Sequence, residues 1–238
     1  MNNSESRSVP PPDIETPNET NTAERRKADP MAKFVACWAR LRMVLSKRFI
    51  VQSSTIHAAA TPSRILLLLC NKVTIDGIVY MLNNLNVKTP APSIIRFVNT
   101  NSPIKGAQNP YINCGQDAQF ASLAGNANPG SQLEILWVGG TDDSSNWPHN
   151  TGPLMHYMTK CDGSCSTYNS TNSEWFKISE LCLEADGNTW YQANLTPANV
   201  TIPNTLAPGN YLLRSEIISL RLAMSPGGAE FYPACIQL

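Results

Sequence analysis

The sequence of 238 residues has little charge, few histidines and no long apolar run. Only 15% of its residues are charged, and 18 Lys and Arg balance 18 Asp and Glu. Residues 65–238 hold eight basic and twelve acidic side chains, a net charge of −4. Because binding to nucleic acid needs a cationic face, this composition argues against a nucleic-acid partner. A neutral polymer is easier to accommodate.

The chain also lacks a stretch that could cross a bilayer. Its most apolar run, ILLLLC at 65–70, has six residues, whereas a membrane helix needs about 20. We interpret this run as a buried first strand and expect no membrane partner. The basic, apolar and cleavage regions of a secretory signal peptide do not follow in order from Met1 or Met31.

The N-terminal part differs in composition from the remainder. Residues 1–30 are rich in Pro, Ser, Asn, Thr and charged residues, so they predict disorder. Residues 31–64 contain six Lys or Arg and no acid, which superficially resembles a transit segment or an amphipathic helix. We therefore divide the chain into a disordered, basic extension at 1–64 and one domain at 65–238.

The domain contains short β-prone runs separated by Gly, Pro and Asn, which is typical of an all-β sandwich. The alternation within 210–220 leaves neither face cleanly apolar, so periodicity alone does not fix the sheet. The predicted strands cover 66–75, 131–139, 153–160, 174–180, 199–204, 210–220 and 230–238.

Seven cysteines are an odd number for a secreted protein, so at least one is free or pairs with another molecule. The spacing of Cys161 and Cys165 could suit zinc only if a second ligand pair stood at a suitable distance in the sequence. No such pair is evident, so we do not favour a zinc site.

Several motifs carry a specific resemblance over about residues 67–238. They are VTIDG (73–77), SPIKGAQNPYINCG (102–115), WPHNTGPLMHYM (147–158), SEWFKI (173–178) and the C-terminal segment from LAPGNYLLRSEIISL to EFYPACIQL (206–238). The chain resembles the fungal lytic polysaccharide monooxygenases of auxiliary activity family 9, formerly glycoside hydrolase family 61. This resemblance implies an immunoglobulin/fibronectin III-like β-sandwich with long loops, secreted and monomeric.

The resemblance also implies two disulfides, Cys114–Cys235 and Cys161–Cys165. Closing a loop of about 120 residues stabilises a fold by roughly 4–5 kcal/mol in the chain-entropy model. Cys37, Cys70 and Cys182 are left without an assignment.

The chemistry that the resemblance implies is oxidative cleavage of cellulose or a related β-1,4-glucan at C1 or C4. One copper ion and an external electron donor are required. In the family, the N-terminal histidine supplies its amine and imidazole, a second histidine supplies an imidazole, and a tyrosine lies axially; these nitrogens suit copper. His149 corresponds to the second histidine and Tyr232 to the tyrosine. His156, inside a predicted strand, is expected to be structural.

The first copper ligand has no counterpart at the matching position. The family's N-terminal histidine corresponds to Leu67, which cannot bind copper, and neither can Leu66 or Leu68. His57 lies twenty residues before Gly77 and would serve only after cleavage directly before it. One imidazole and one phenol are expected to hold copper more weakly than the full set.

Two residues beside the metal also depart from the family pattern. Arg221 replaces a histidine and Glu230 replaces a glutamine, and both of the replaced groups hydrogen-bond near the metal. Arginine is a permanent cation without an acceptor, whereas Glu can still accept a hydrogen bond. An ion pair between Arg221 and Glu230 is a simple possibility. Family members also continue beyond the position of Leu238.

Three interpretations follow. The first is a copper-dependent monooxygenase acting on cellulose. The second is a catalytically impaired relative that binds cellulose without oxidising it. The third is an inaccurate gene model of an active enzyme, since the chain departs from the family at both ends; this does not explain Arg221 and Glu230, which lie inside an intact motif.

Overall fold

The computed structural model describes residues 69–82, 91–139, 145–194 and 197–238. The expected extension at 1–64, Leu66–Leu68 and His57 lie outside the described residues.

Ten strands form the described fold. They are β1 (Leu69–Ile75), β2 (Ile78–Met81), β3 (Ile104–Lys105), β4 (Gln132–Gly139), β5 (Ser145–Asn146), β6 (Leu154–Lys160), β7 (Phe176–Leu181), β8 (Ala198–Thr201), β9 (Tyr211–Ser219) and β10 (Glu230–Gln237). Short 3₁₀ helices cover Pro110–Ile112 and Tyr191–Asn194.

The strands pair into two five-stranded antiparallel sheets. The first sheet has the order β2-β1-β4-β5, and β8 pairs with β4 as well. The second has the order β3-β10-β9-β6-β7. The predicted all-β sandwich is therefore confirmed. The seven predicted strands correspond to β1, β4, β6, β7, β8, β9 and β10, while the short β2, β3 and β5 were not predicted.

The two sheets pack face to face through alternate residues of their strands. On β9, Leu213 and Ile217 are fully buried in the core, because successive side chains of a strand point to opposite faces. Ser215, on the same face, accepts a hydrogen bond at 3.2 Å from the indole of Trp137 on β4 of the other sheet. On the outer face, Arg214 and Glu216 alternate with these residues. The strand was predicted at 210–220, and its mixed pattern reflects polar residues on both faces.

Disulfides tie the loops to the second sheet. The predicted Cys114–Cys235 and Cys161–Cys165 bridges are both present. Cys70 is a buried free thiol, and Cys182 is disulfide-bonded. No helix of the described residues is long and apolar enough to span a membrane.

Candidate metal site

His149 lies in the segment between β5 and β6, and its ring is held by aromatic neighbours. Trp147 packs edge-on against His149, with 5.5 Å between the ring centroids. Trp147 is itself fixed, because its indole donates to Gln192 Oε1 at 3.2 Å. The Gln192 amide in turn donates to the backbone oxygens of Pro153 and Ile218. A buried glutamine thus anchors the histidine segment to β9 through Trp147.

Gly152 allows the histidine segment to lie directly on β9. Its φ is +129°, and a Cβ built there would come 1.9 Å from the backbone oxygen of Ile218. Only glycine meets both conditions, since it has no Cβ and adopts positive φ without steric cost. The turn after His149 is therefore specified by its sequence.

Tyr232 and Glu230 face His149 from β10. They are two residues apart on one strand, so their side chains point to the same face of the sheet. Tyr232 also packs at right angles to Trp147, with 5.0 Å between the ring centroids. Both residues are mostly buried, with 5% of Tyr232 and 7% of Glu230 exposed.

Three polar atoms converge at this end of the second sheet. His149 Nε2 lies 3.2 Å from Tyr232 Oη, and Tyr232 Oη donates to Glu230 Oε2 at 3.3 Å. His149 Nε2 is 3.7 Å from Glu230 Oε2. The other ring nitrogen, His149 Nδ1, is buried and has no hydrogen-bond partner among the described residues. The imidazole is thus only partly satisfied by its protein neighbours.

Lys105 completes the cluster from β3. Its Nζ lies 2.8 Å from Glu230 Oε1 and also donates to the backbone oxygen of Gly228 at 3.3 Å. The pairing follows from register, because Lys105 is directly opposite Glu230 on the neighbouring strand. The sequence had suggested an ion pair between Glu230 and Arg221, but the partner of Glu230 is Lys105. Arg221 is exposed.

The site favours the neutral form of His149. Burial lowers the pKa of His149; Glu230 acts against this shift, while the positive charges of Arg221 and Lys105 add to it. Burial raises the pKa of Tyr232, and the carboxylate of Glu230 raises it further. A neutral imidazole with an available lone pair is the form that binds a metal ion.

The second histidine of the domain, His156, lies elsewhere. It is fully buried on β6, directly opposite Ser215 of β9. Burial lowers the pKa of His156 to about 3, so the ring is uncharged in the core. It does not take part in the cluster around His149.

Three contributors to the site were not predicted from the sequence: Lys105, Trp147 and Gln192. Lys105 could have been found only from the β3–β10 register, because 125 residues separate it from Glu230. The described residues contain no group of three or more His, Cys, Asp or Glu that could hold a metal ion. The donors present are one imidazole, one phenol and one carboxylate.

The fold and the site together define a class of protein, namely a disulfide-bridged antiparallel β-sandwich with a candidate metal site at one end of its second sheet. The chain belongs to Auxiliary Activity family 9 (formerly GH61), whose family model matches residues 68–238.

Named relatives and a solved structure agree with this assignment. The chain is 48% identical over 172 residues to AA9 family lytic polysaccharide monooxygenase D of Gloeophyllum trabeum, covering 71% of this chain and 49% of that protein. It is 37% identical to lytic polysaccharide monooxygenase A of Thermoascus aurantiacus, covering 67% of this chain and 72% of that protein. The crystal structure of a cellulose-active polysaccharide monooxygenase from M. thermophila aligns with a TM-score of 0.62 at 28% identity, covering 71% of this chain and 76% of the other. The chain thus spans about half the length of the first relative.

Proposed function

We propose that this domain is a copper-dependent monooxygenase that cleaves β-1,4-glucan oxidatively, with His149 and Tyr232 among the copper ligands. The observation that carries the proposal is the convergence of His149 Nε2 and Tyr232 Oη at 3.2 Å, at the positions expected for the family's histidine and tyrosine ligands. Relatives named as lytic polysaccharide monooxygenases support the reaction class. Cellulose as the substrate is supported by the solved relative from M. thermophila, which is cellulose-active.

The chemistry of the donors fits copper. Imidazole nitrogen is a good copper ligand, and the lowered pKa of His149 keeps it in the neutral form. His149 Nε2 is the ring nitrogen that faces Tyr232 Oη and Glu230 Oε2, so Nε2 would hold the ion, while Nδ1 lies buried without a partner among the described residues. The phenol of Tyr232, kept protonated by its raised pKa, would suit a weak oxygen donor to the ion.

Each protein group then has a separate role. Trp147 holds the ring of His149 at a fixed angle, and Gln192 holds Trp147. Glu230 accepts the proton of Tyr232 Oη in a hydrogen bond and thereby orients the phenol. Bound copper would supply one-electron chemistry with oxygen or peroxide, using electrons from an external donor. Arg221 has no lone pair with which to accept a proton, so it adds only positive charge near His149.

The proposed setting follows from the same family. We place the enzyme outside the cell, acting as a monomer on cellulose at C1 or C4, and we take residues 65–238 as its single catalytic domain. The Cys114–Cys235 and Cys161–Cys165 disulfides are consistent with an oxidising compartment.

A second candidate function is cellulose binding without oxidation. It is favoured by one specific observation: the described residues provide a single imidazole at the site. Leu67, at the position expected for the family's first histidine, provides no donor either.

Incubation of the purified protein with cellulose, copper and ascorbate tests the proposal. Chromatography should detect oxidised cello-oligosaccharides for the wild type and none for His149→Ala. The matched control is His156→Gln, a change at a histidine outside the site. Cellulose pull-down without oxidised products from the wild type would favour the binding function instead.

A further inference from the structure

Glu230 presents a carboxylate oxygen to the two proposed copper ligands. Its Oε2 lies 3.3 Å from Tyr232 Oη and 3.7 Å from His149 Nε2, and those two atoms are 3.2 Å apart. Donor atoms that lie about 2.0–2.2 Å from one ion are roughly 2.8–3.6 Å from each other at angles between 90° and tetrahedral. Two of the three observed distances fall within this range and the third lies just above it, so a small shift would bring all three atoms to one cation.

The carboxylate is also arranged as a ligand would be. Lys105 takes only Oε1, at 2.8 Å, so Oε2 remains directed at the imidazole and the phenol. Glu230 is 7% exposed, so water competes little with an ion for its carboxylate. A buried carboxylate oxygen beside a neutral imidazole is a donor pair that divalent copper and zinc both accept.

We propose that Glu230 is itself a metal ligand, so that His149, Tyr232 and Glu230 form one face of three donors for a divalent first-row metal ion. The inference rests on the proposed metal binding at His149 and deepens it. It gives the site a second, negatively charged oxygen ligand beside the Tyr232 phenol, where the described residues supply only one nitrogen. Lys105 should then weaken metal binding, because its positive charge lies against the carboxylate that the metal would bind.

The test uses the full chain and Cu(II) alone. Calorimetric titration should give one site per chain, and Glu230→Gln should weaken binding at least about tenfold, since an amide oxygen is a poorer ligand than a carboxylate. Lys105→Met should strengthen binding about threefold or more, because it removes a cation from the donor group. The matched control is Glu180→Gln, since Glu180 forms the same kind of pair with Lys177 at 2.7 Å on β7.

Electron paramagnetic resonance of Cu(II) tests whether Glu230 coordinates the ion or only lies near it. The spectrum of Glu230→Gln should differ from that of the wild type in g and copper hyperfine values, while that of Glu180→Gln should not. Unchanged affinity and spectrum in Glu230→Gln would overturn the inference and leave the proposed function in place. Glu230-dependent binding without oxidised products would keep the inference and remove the proposed function. A wild type that binds no copper would overturn both.

Discussion

Two buried polar clusters of the sandwich differ in how completely the protein satisfies them. At one, the guanidinium of Arg96 donates to Gln237, Ser170 and the backbone oxygens of Cys165 and Tyr168 at 2.8–3.4 Å. At the other, His149 makes one hydrogen bond of 3.2 Å, through Nε2. A buried polar group is normally paired, so we interpret the first cluster, which the protein satisfies, as structural. At the second, His149 Nε2, Tyr232 Oη and Glu230 Oε2 lie within 3.7 Å of one another, and we interpret them as donors that a metal ion would share.

The difference has a topological basis. Arg96 joins the last strand, through Gln237, to the loop between the second disulfide and β7, so its bonds close the fold around the bridges. The polar atoms of the His149 cluster come from the start of β10, from the segment before β6 and, through Lys105, from the two-residue strand β3. Substitutions in the Arg96 cluster should therefore lower the free energy of unfolding, whereas substitutions in the His149 cluster should weaken ligand binding.

The largest loss of stability is expected from opening the bridge beside the Arg96 cluster. Replacing Cys114 and Cys235 with Ala frees a loop of 121 residues and should lower the free energy of unfolding by about 4–5 kcal/mol. Denaturant titration measures this loss. The double replacement of Cys161 and Cys165 is the comparison variant: its loop closes over only four residues, so the loss should be clearly smaller. Equal losses would contradict the chain-entropy explanation.

Arg96→Met should destabilise the fold by about 3 kcal/mol. The substitution removes four hydrogen bonds of a buried guanidinium, including those to the backbone oxygens of Cys165 and Tyr168, and leaving a buried acceptor without its donor costs about 1–3 kcal/mol. Arg221→Met, at an exposed arginine, should change stability by less than about 0.5 kcal/mol. Similar effects of the two variants would break the distinction between the clusters.

A third buried polar group should make stability depend on pH. Burial raises the pKa of Glu216 to about 7, opposed by Arg214, whose guanidinium lies 3.8 Å from the carboxylate. Because the folded state holds this proton more tightly than the unfolded chain, stability falls as pH rises from about 4.5 to 7 and then levels off. We expect a loss of about 3 kcal/mol over this window.

Glu216→Gln should remove most of that slope, and denaturation midpoints at pH 5 and pH 8 compare the two proteins. Glu184→Gln serves as control, at an only partly buried carboxylate. If the slope persists in Glu216→Gln, another group carries it.

The smallest effect on folding is expected at the candidate metal site. His149→Ala should lower the free energy of unfolding by only about 1–2 kcal/mol without metal, because the ring packs against Trp147 and Tyr232 but makes one weak hydrogen bond and keeps an unsatisfied nitrogen. The same variant should lose copper binding, which calorimetry measures. A loss of several kcal/mol without metal would mean that His149 is structural.

Much of this arrangement could be anticipated from the sequence, and the exceptions have physical causes. Motif resemblance identified His149, Tyr232 and Glu230, because their neighbours along the chain mark them. Lys105 was not predicted, since its role depends on the pairing of two strands and 125 residues separate it from Glu230. Gln192 was not predicted, because a buried glutamine in a 3₁₀ helix has no sequence pattern of its own.

We infer that copper completes the His149 cluster, and the melting temperature measured with and without the metal tests this inference. A ligand that binds only the folded state raises the melting temperature, by several degrees when it is present at about 100 times its Kd. We predict such a rise for the wild type and for His156→Gln, and none for His149→Ala. An equal rise in His149→Ala would contradict the claim, as would no rise in the wild type.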